Sequence, residues 1–265
     1  SCCSAVAAKS TTRNGAHVKL LVSAANLHQG GAIGVAASII DWLPDLEAEG
    51  SLESWHSVDI EASSEVMQTL CNPKAIHSSR LRLSTVNEYP RSIVFKGRKR
   101  SARYDAFLRI FGPAYTRVNS DLNVMGFANG TLFEAQGLKQ KLRSPRKQGS
   151  VAVKRHFLSR ADEYIVETHS MAKSLRRWKP EALVHVVPNV VPDVFYDQSR
   201  WQAVRLDRKS DDEVRLFYPA RGYTHKNHKI IPAVTKAFRI ITGRKLTVMT
   251  TLTTEELRQL KLESE

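Results

Sequence analysis

Two stretches of this chain pair a short apolar strand with a loop that opens into a helix. The first, HVKLLVSAANLHQGGAIGVAASIIDWL, passes through Gly30-Gly31. The second, VRLFYPARGYTHKNHK over Val214–Lys229, carries Arg221 and Lys226. A strand that ends in a glycine-rich or cationic loop before a helix N-terminus suits a diphosphate. The helix end offers free N–H groups, glycine lets the backbone approach closely, arginine adds a planar fork and lysine a point charge. One unit early and one late predict two nucleotide-fold lobes.

The pattern between them agrees. Apolar runs at His17–Ala25, Ser57–Ile60, Ala75–Leu83, Ala106–Phe111, Leu122–Phe127, Glu163–Glu167 and Val184–Val187 read as strands. Helical periodicity is expected over Ala32–Leu43, Ser92–Tyr104 and Val153–Arg160, and in a helix capped by Thr168 or Ser170. This alternation predicts an α/β fold with a mostly parallel sheet covered on both faces. The expected organisation is a flexible N-terminal tail (1–16), an N-terminal Rossmann-like lobe (17–191) and a polar linker (192–213). A partial C-terminal lobe (214–265) follows, with a helix over His228–Ile241 and a strand over Lys245–Thr250. The segment from Val214 offers room for about two strands and two helices, fewer than a complete doubly wound lobe uses. A truncated second lobe is therefore expected.

At 265 residues and 42% hydrophobic content the chain can bury a full core. No apolar run has the length of a membrane span. Cys2, Cys3 and Cys71 are too few for a disulfide framework, so a reducing, cytoplasmic setting is the simple reading. The net charge of +14 concentrates in Lys96–Arg109 and Lys139–Arg155, which suits an anionic membrane surface met peripherally, or a solvated basic face. No aromatic-interleaved RNA motif or zinc-finger spacing accompanies it, so nucleic acid is not the expected partner. No His/Cys/Asp/Glu cluster has metal spacing, and neither a metal nor another cofactor is expected. Asp59-Ile60-Glu61 reads as the end of a strand. Ser23 and Ser170 lack the turn that a hydrolase nucleophile needs. His169 reads as a capping or surface residue in preference to a catalytic one, whereas His225 and His228, which flank Lys226, read equally well as touching a bound ligand or as solvent-facing.

Taken in order, HQGGAIGV, YDAFLRIFGPAY, NVMGFANG, ADEYIVETHSMAKSL, VHVVPNVV and ARGYTHKN resemble the retaining GT-B glycosyltransferases of family 4, over about Val18–Thr250. The resemblance implies a GT-B-like fold of two Rossmann-like lobes and glycosyl transfer, with retention, from a nucleotide-sugar to a hydroxyl acceptor such as a glycan, a lipid-linked sugar or a small molecule. It implies that Gly30 and Gly31 approach the donor diphosphate and sugar, and that Arg221 and Lys226 grip the diphosphate. Tyr115, Phe127 and Asn129 would stand near the acceptor cleft, and Asn189 at the exit from the first lobe. No catalytic residue is assigned. The family's two glutamates separated by seven residues have no convincing counterpart. Glu53/Glu61 falls in the wrong lobe, and Glu255/Glu263 lacks the strand and glycine context. Two other readings therefore stay open: a non-catalytic fragment or binding lobe of such an enzyme, and a basic nucleic-acid-binding adaptor.

Overall fold

The computed structural model describes residues 18–89, 102–113, 115–128, 145–189, 199, 212–223, 226–260 and 262, with only the backbone at 145–148, 150 and 151. Its contacts divide the chain into two units, Ser1–Gln198 and Ser199–Glu265.

The first unit is built on a seven-stranded, all-parallel sheet. Its strands are β1 (Lys19–Ala24), β2 (Ser57–Ala62), β3 (Leu81–Thr85), β4 (Arg103–Arg109), β5 (Asn119–Phe127), β6 (Glu163–Val166) and β7 (Leu183–Val186). They lie in the order β3-β2-β1-β4-β5-β6-β7. Helices α1 (Ala32–Asp41), α2 (Leu43–Ala48), α3 (Ser64–Met67), α4 (Pro145–Leu158) and α5 (His169–Trp178) flank it. This is a doubly wound, Rossmann-like α/β architecture.

The sequence explains the layering. Strand β1 is almost wholly buried, because a parallel sheet is covered on both faces. Its side chains alternate between two cores. Leu20, Val22 and Ala24 join a cluster with Ile40, Trp55, Ile60 and Leu81, whereas Leu21 joins Phe107, Tyr164 and Leu175. Each fully buried large aliphatic side chain contributes about 1.5–3 kcal/mol. Helix α5 begins where Thr168 accepts a hydrogen bond from the Met171 N–H, at 3.2 Å, as its position in the sequence suggests.

Several boundaries differ from expectation. Within Ala75–Leu83 only the end is strand. Pro73–Ile76 is a 3-10 turn, since proline fixes φ and lacks the N–H that a ladder needs. The basic helix expected to run to Tyr104 does not reach it, because Arg103 and Tyr104 open β4; residues 92–101 lie outside those described. Helix α4 starts at Pro145, eight residues earlier than its apolar positions indicate. Proline at a helix start is favoured, and the basic, polar first turns carry no periodic signal. Helix α1 stops at Asp41, and Pro44 begins the next helix. Asp59-Ile60-Glu61 lies inside β2, where Asp59 accepts the Tyr104 hydroxyl at 2.9 Å.

The second unit contains β8 (Glu213–Tyr218), a 3-10 turn (His228–Ile230), α6 (Ile231–Thr242), β9 (Lys245–Thr250) and α7 (Thr254–Leu260). β8 and β9 form their own parallel pair, separate from the seven-stranded sheet. Helix α6 ends at Gly243, whose φ of 70° is left-handed and open to glycine without strain. Glu213, expected to close the linker, is the first residue of β8; residues 190–198 and 200–211 lie outside those described. Among the described residues no helix is long and apolar enough to cross a membrane.

Candidate functional site

In an open parallel sheet the crevice lies at the carboxyl ends of the strands, where the strand order reverses. Here that switch point falls between β1 and β4, which pair through Leu20↔Ala106 to Ser23↔Arg109. The Ala25–Gly31 loop leaves β1 at this point, and Ile110–Pro113 leaves β4.

A buried polar network fills the switch point. Arg109 is 1% exposed and Glu88 5%, and Arg109 Nη2 meets Glu88 Oε2 at 2.8 Å. Arg109 Nη1 donates to Asn26 Oδ1 at 3.3 Å. Asn26 Nδ2 donates in turn to the carbonyls of Phe111 at 2.9 Å and Pro113 at 3.3 Å, tying the two strand ends together. Glu88 Oε1 accepts the Thr116 N–H at 2.6 Å, and the Glu88 N–H donates to the Ala25 carbonyl at 2.8 Å. Arg109 Nε is buried and finds no acceptor among the described residues. Desolvating such a pair costs much of what its attraction returns, so its presence sets geometry more than it adds stability.

His28 stands at the edge of this network. Its Nδ1 lies 2.9 Å from Glu65 Oε2 and its Nε2 lies 3.0 Å from the Glu88 carbonyl. Its ring stacks on Tyr89, centroids 4.1 Å apart. The hydrogen bond from His28 holds the Glu65 carboxyl below the ordinary carboxylate range. Ser63 caps α3 by accepting the Val66 N–H at 3.2 Å, and its hydroxyl donates to the Leu27 carbonyl. The first half of the glycine loop is thus fastened to α3 and to the segment after β3.

Gly30 follows with φ 82°, a conformation that side chains resist. Gly31 is exposed and sits at the start of α1, which has no side-chain cap, and a Cβ there would meet nothing within 4 Å. Tyr115 is half-buried, with its ring edge-on to Phe157 at 5.4 Å. Burial, and then the Glu88 charge, push its hydroxyl up. Phe127 closes β5 as a core side chain, 3% exposed. Asn129 and His225 lie outside the described residues. Tyr115 is therefore brought beside the Glu88 network, whereas Phe127 supports the core beneath the strand ends.

In the second unit, Arg221 and Lys226 are both exposed in the loop after β8. The loop is fastened on several sides. The Tyr218 hydroxyl donates to the Lys226 carbonyl at 2.6 Å. His228 Nε2 lies 3.2 Å from the Ala220 carbonyl. Glu256 accepts the Gly222 N–H at 3.2 Å and the Thr253 N–H at 2.9 Å. The hydrogen bonds from Thr253 and Gly222 hold its carboxyl below the usual range, with the Arg221 charge adding to the effect. His228, for which a ligand contact and a solvent-facing position read equally well, is 1% exposed, because it packs against the Tyr218 ring at 5.2 Å.

The basic segments also read differently. Arg103 pairs with Asp121 at 2.8 Å and Arg109 is buried against Glu88, so these two are not free surface cations. Residues 90–101 and 129–144 lie outside those described. Among the described residues no group of three His, Cys, Asp or Glu could hold a metal ion. Glu61 belongs to β2 and Glu255 to α7, away from the strand-and-glycine setting of a sugar-holding glutamate pair.

Sequence reasoning missed Asn26, His28, Glu65, Glu88 and Arg109. One signal was legible: the apolar strand YDAFLR ends in a charge, and a charge at the carboxyl end of a central strand points into the crevice. Neither a scan against models of known protein families nor a search of curated proteins finds a match to this chain.

Proposed function

We propose that this chain belongs to a GT-B-like enzyme that transfers a sugar, with retention, from a nucleotide-sugar to a hydroxyl acceptor. The observation that carries the reading is the fastened cationic loop of the second unit. Arg221 and Lys226 are exposed on a backbone held by Tyr218, His228 and Glu256. Such a loop follows a parallel strand and precedes a helix, the setting in which diphosphates are gripped. Fixed cations there act on charge as it develops on a departing nucleoside diphosphate, without reorganising at the moment of reaction. In the first unit, the acceptor role falls to the switch-point crevice with Tyr115, while Gly30 supplies a left-handed turn and Gly31 open space where a Cβ would stand. The sugar, the nucleotide and the acceptor are left unassigned, and peripheral contact with an anionic membrane remains part of the proposal.

Calorimetry with inorganic pyrophosphate and a panel of nucleoside diphosphates tests the reading. Arg221→Ala should weaken binding about ten- to a hundredfold, the loss of one charge-assisted contact of about 1.5–3 kcal/mol. Lys226→Ala should weaken it less, and salt should weaken all three proteins. Equal affinity in wild type and Arg221→Ala would remove the donor-site assignment. A binding lobe without turnover would bind the diphosphate equally well. A radiolabelled-donor assay on the same chain separates the two.

A further inference from the structure

His28 has an acceptor oxygen within hydrogen-bond distance of each ring nitrogen. Its Nδ1 faces a carboxylate oxygen of Glu65 at 2.9 Å and its Nε2 faces the backbone carbonyl of Glu88 at 3.0 Å. Neither an ionised carboxylate nor a carbonyl can donate, and a neutral imidazole carries one proton for its two nitrogens. Both contacts are hydrogen bonds only when both nitrogens are protonated.

The position of this ring gives the charge a consequence. His28 lies two residues before Gly30, and the Leu27 carbonyl between strand and ring is held by Ser63. The imidazolium joins three elements: the glycine loop, the first turn of α3 through Glu65, and the segment after β3 through Glu88 and Tyr89. The other charged groups around it are engaged elsewhere. The Glu88 carboxylate holds Arg109 and the Thr116 N–H, and Arg109 also reaches Asn26. If His28 loses a proton, the one that remains goes to Nδ1, because a carboxylate is the stronger acceptor. Nε2 then turns a lone pair towards the Glu88 carbonyl and that hydrogen bond is lost, while the Glu88 N–H bond to the Ala25 carbonyl stays at the base of the loop.

We infer that His28 is a positioning residue for the Gly30–Gly31 loop: doubly protonated, it locks the loop to the segment after β3, and deprotonation releases that lock. The role of the loop towards a donor diphosphate rests on the function proposed above; the lock does not. Because neither ring nitrogen is free, His28 acts through the loop and not as an acid or base on substrate.

The test uses the full chain, labelled for NMR, between about pH 5 and pH 8, the range in which histidines change charge. At the acid end both His28 nitrogens should be protonated, and the Gly30, Gly31 and Tyr89 amides should shift with the midpoint of the His28 ring. Glu65→Gln leaves the ring in place and removes the carboxylate, so it should move that midpoint to lower pH. His28→Gln should abolish the shifts of the glycine amides. His185, paired with Glu163 at 2.8 Å between β6 and β7, serves as the internal control. Glycine amides that ignore the His28 titration, or a ring with a single proton at acid pH, would overturn the lock.

Inorganic pyrophosphate then addresses the reading beneath it. Phosphate groups gain charge over this range, so a merely cationic surface binds them better as pH rises. A locked glycine loop should respond to pyrophosphate most at the acid end. If its amides follow His28 but ignore pyrophosphate at every pH, the lock stands and the donor role of this loop falls.

Discussion

The Arg109–Glu88 pair supplies the sharpest stability test of the first unit. Glu88→Ala removes the carboxylate paired with Arg109 and the acceptor of the Thr116 N–H. Arg109 is 1% exposed, so its guanidinium cannot turn to water, and its Nε already lacks an acceptor among the described residues. Stranding one member of a buried pair costs about 3–5 kcal/mol. For a unit of this size each kcal/mol lowers the melting temperature by about 2–4 °C, so a fall of about 6–20 °C is expected. Replacing both partners with apolar residues of similar volume, Glu88→Leu with Arg109→Met, removes the stranded charge as well. The double variant should lie within about 1.5 kcal/mol of wild type, well above Glu88→Ala alone. Urea unfolding followed by far-UV circular dichroism gives each free energy, and adding the single variants Glu88→Leu and Arg109→Met to wild type and the double variant closes a double-mutant cycle. A Glu88→Ala cost under about 1 kcal/mol, or a double variant no better than the single one, would refute the claim that a desolvated pair organises the switch point.

Three further outcomes follow from the same coordinates. Gly126→Ala drives a Cβ into the Ile110 carbonyl, so it should destabilise by several kcal/mol or block folding, whereas Gly31→Ala, whose Cβ meets nothing, should stay within about 1 kcal/mol; thermal denaturation of both variants decides. Tyr164 donates to the Leu158 carbonyl at 2.7 Å from a buried position, so Tyr164→Phe should cost about 1–3 kcal/mol by urea unfolding, and burial should keep its phenol un-ionised at alkaline pH in an absorbance titration. Glu65 is held below its ordinary value of 4.5 by His28, so its stabilisation is present above that value and is lost as pH falls through its lower folded value. Glu65→Gln should therefore flatten the acid limb of the stability curve below about pH 4.5, and an unchanged limb would refute the link.

Much of the first unit was legible in the sequence, because its signals are local. A continuous apolar run such as LLVSA specifies a strand covered on both faces, and Thr168 ahead of a periodic segment specifies a helix start. The parallel sheet follows from alternation alone. What was not legible depends on pairing between residues far apart. Ala75–Leu83 reads as a strand, yet its first residues belong to the turn that Pro73 begins and the strand opens only at Leu81. His228 reads equally well as a ligand contact or a solvent residue between lysines until β8 brings Tyr218 against it. Arg103 and Arg109 look alike within one basic segment, yet one meets Asp121 at the surface and the other is buried against Glu88.

The candidate site divides along the same line. Glycines and loop cations announce themselves, since their chemistry lies in the residue type and in its place between strand and helix. The groups that hold those loops do not. His28 and Glu65 are 37 residues apart, Asn26 and Arg109 are 83 apart, and Gly222 and Glu256 are 34 apart. Each of these contacts forms only once a parallel sheet has brought separate strand ends to one edge. The two units share this logic. In each, the loop offered to a ligand is free at its tip and fastened at its base by a carboxylate from another element, Glu65 in the first and Glu256 in the second. A loop that is already ordered loses less entropy when it closes on an anion. The fastening carboxylates, and not only the glycines and cations, should therefore set how strongly each loop engages a diphosphate.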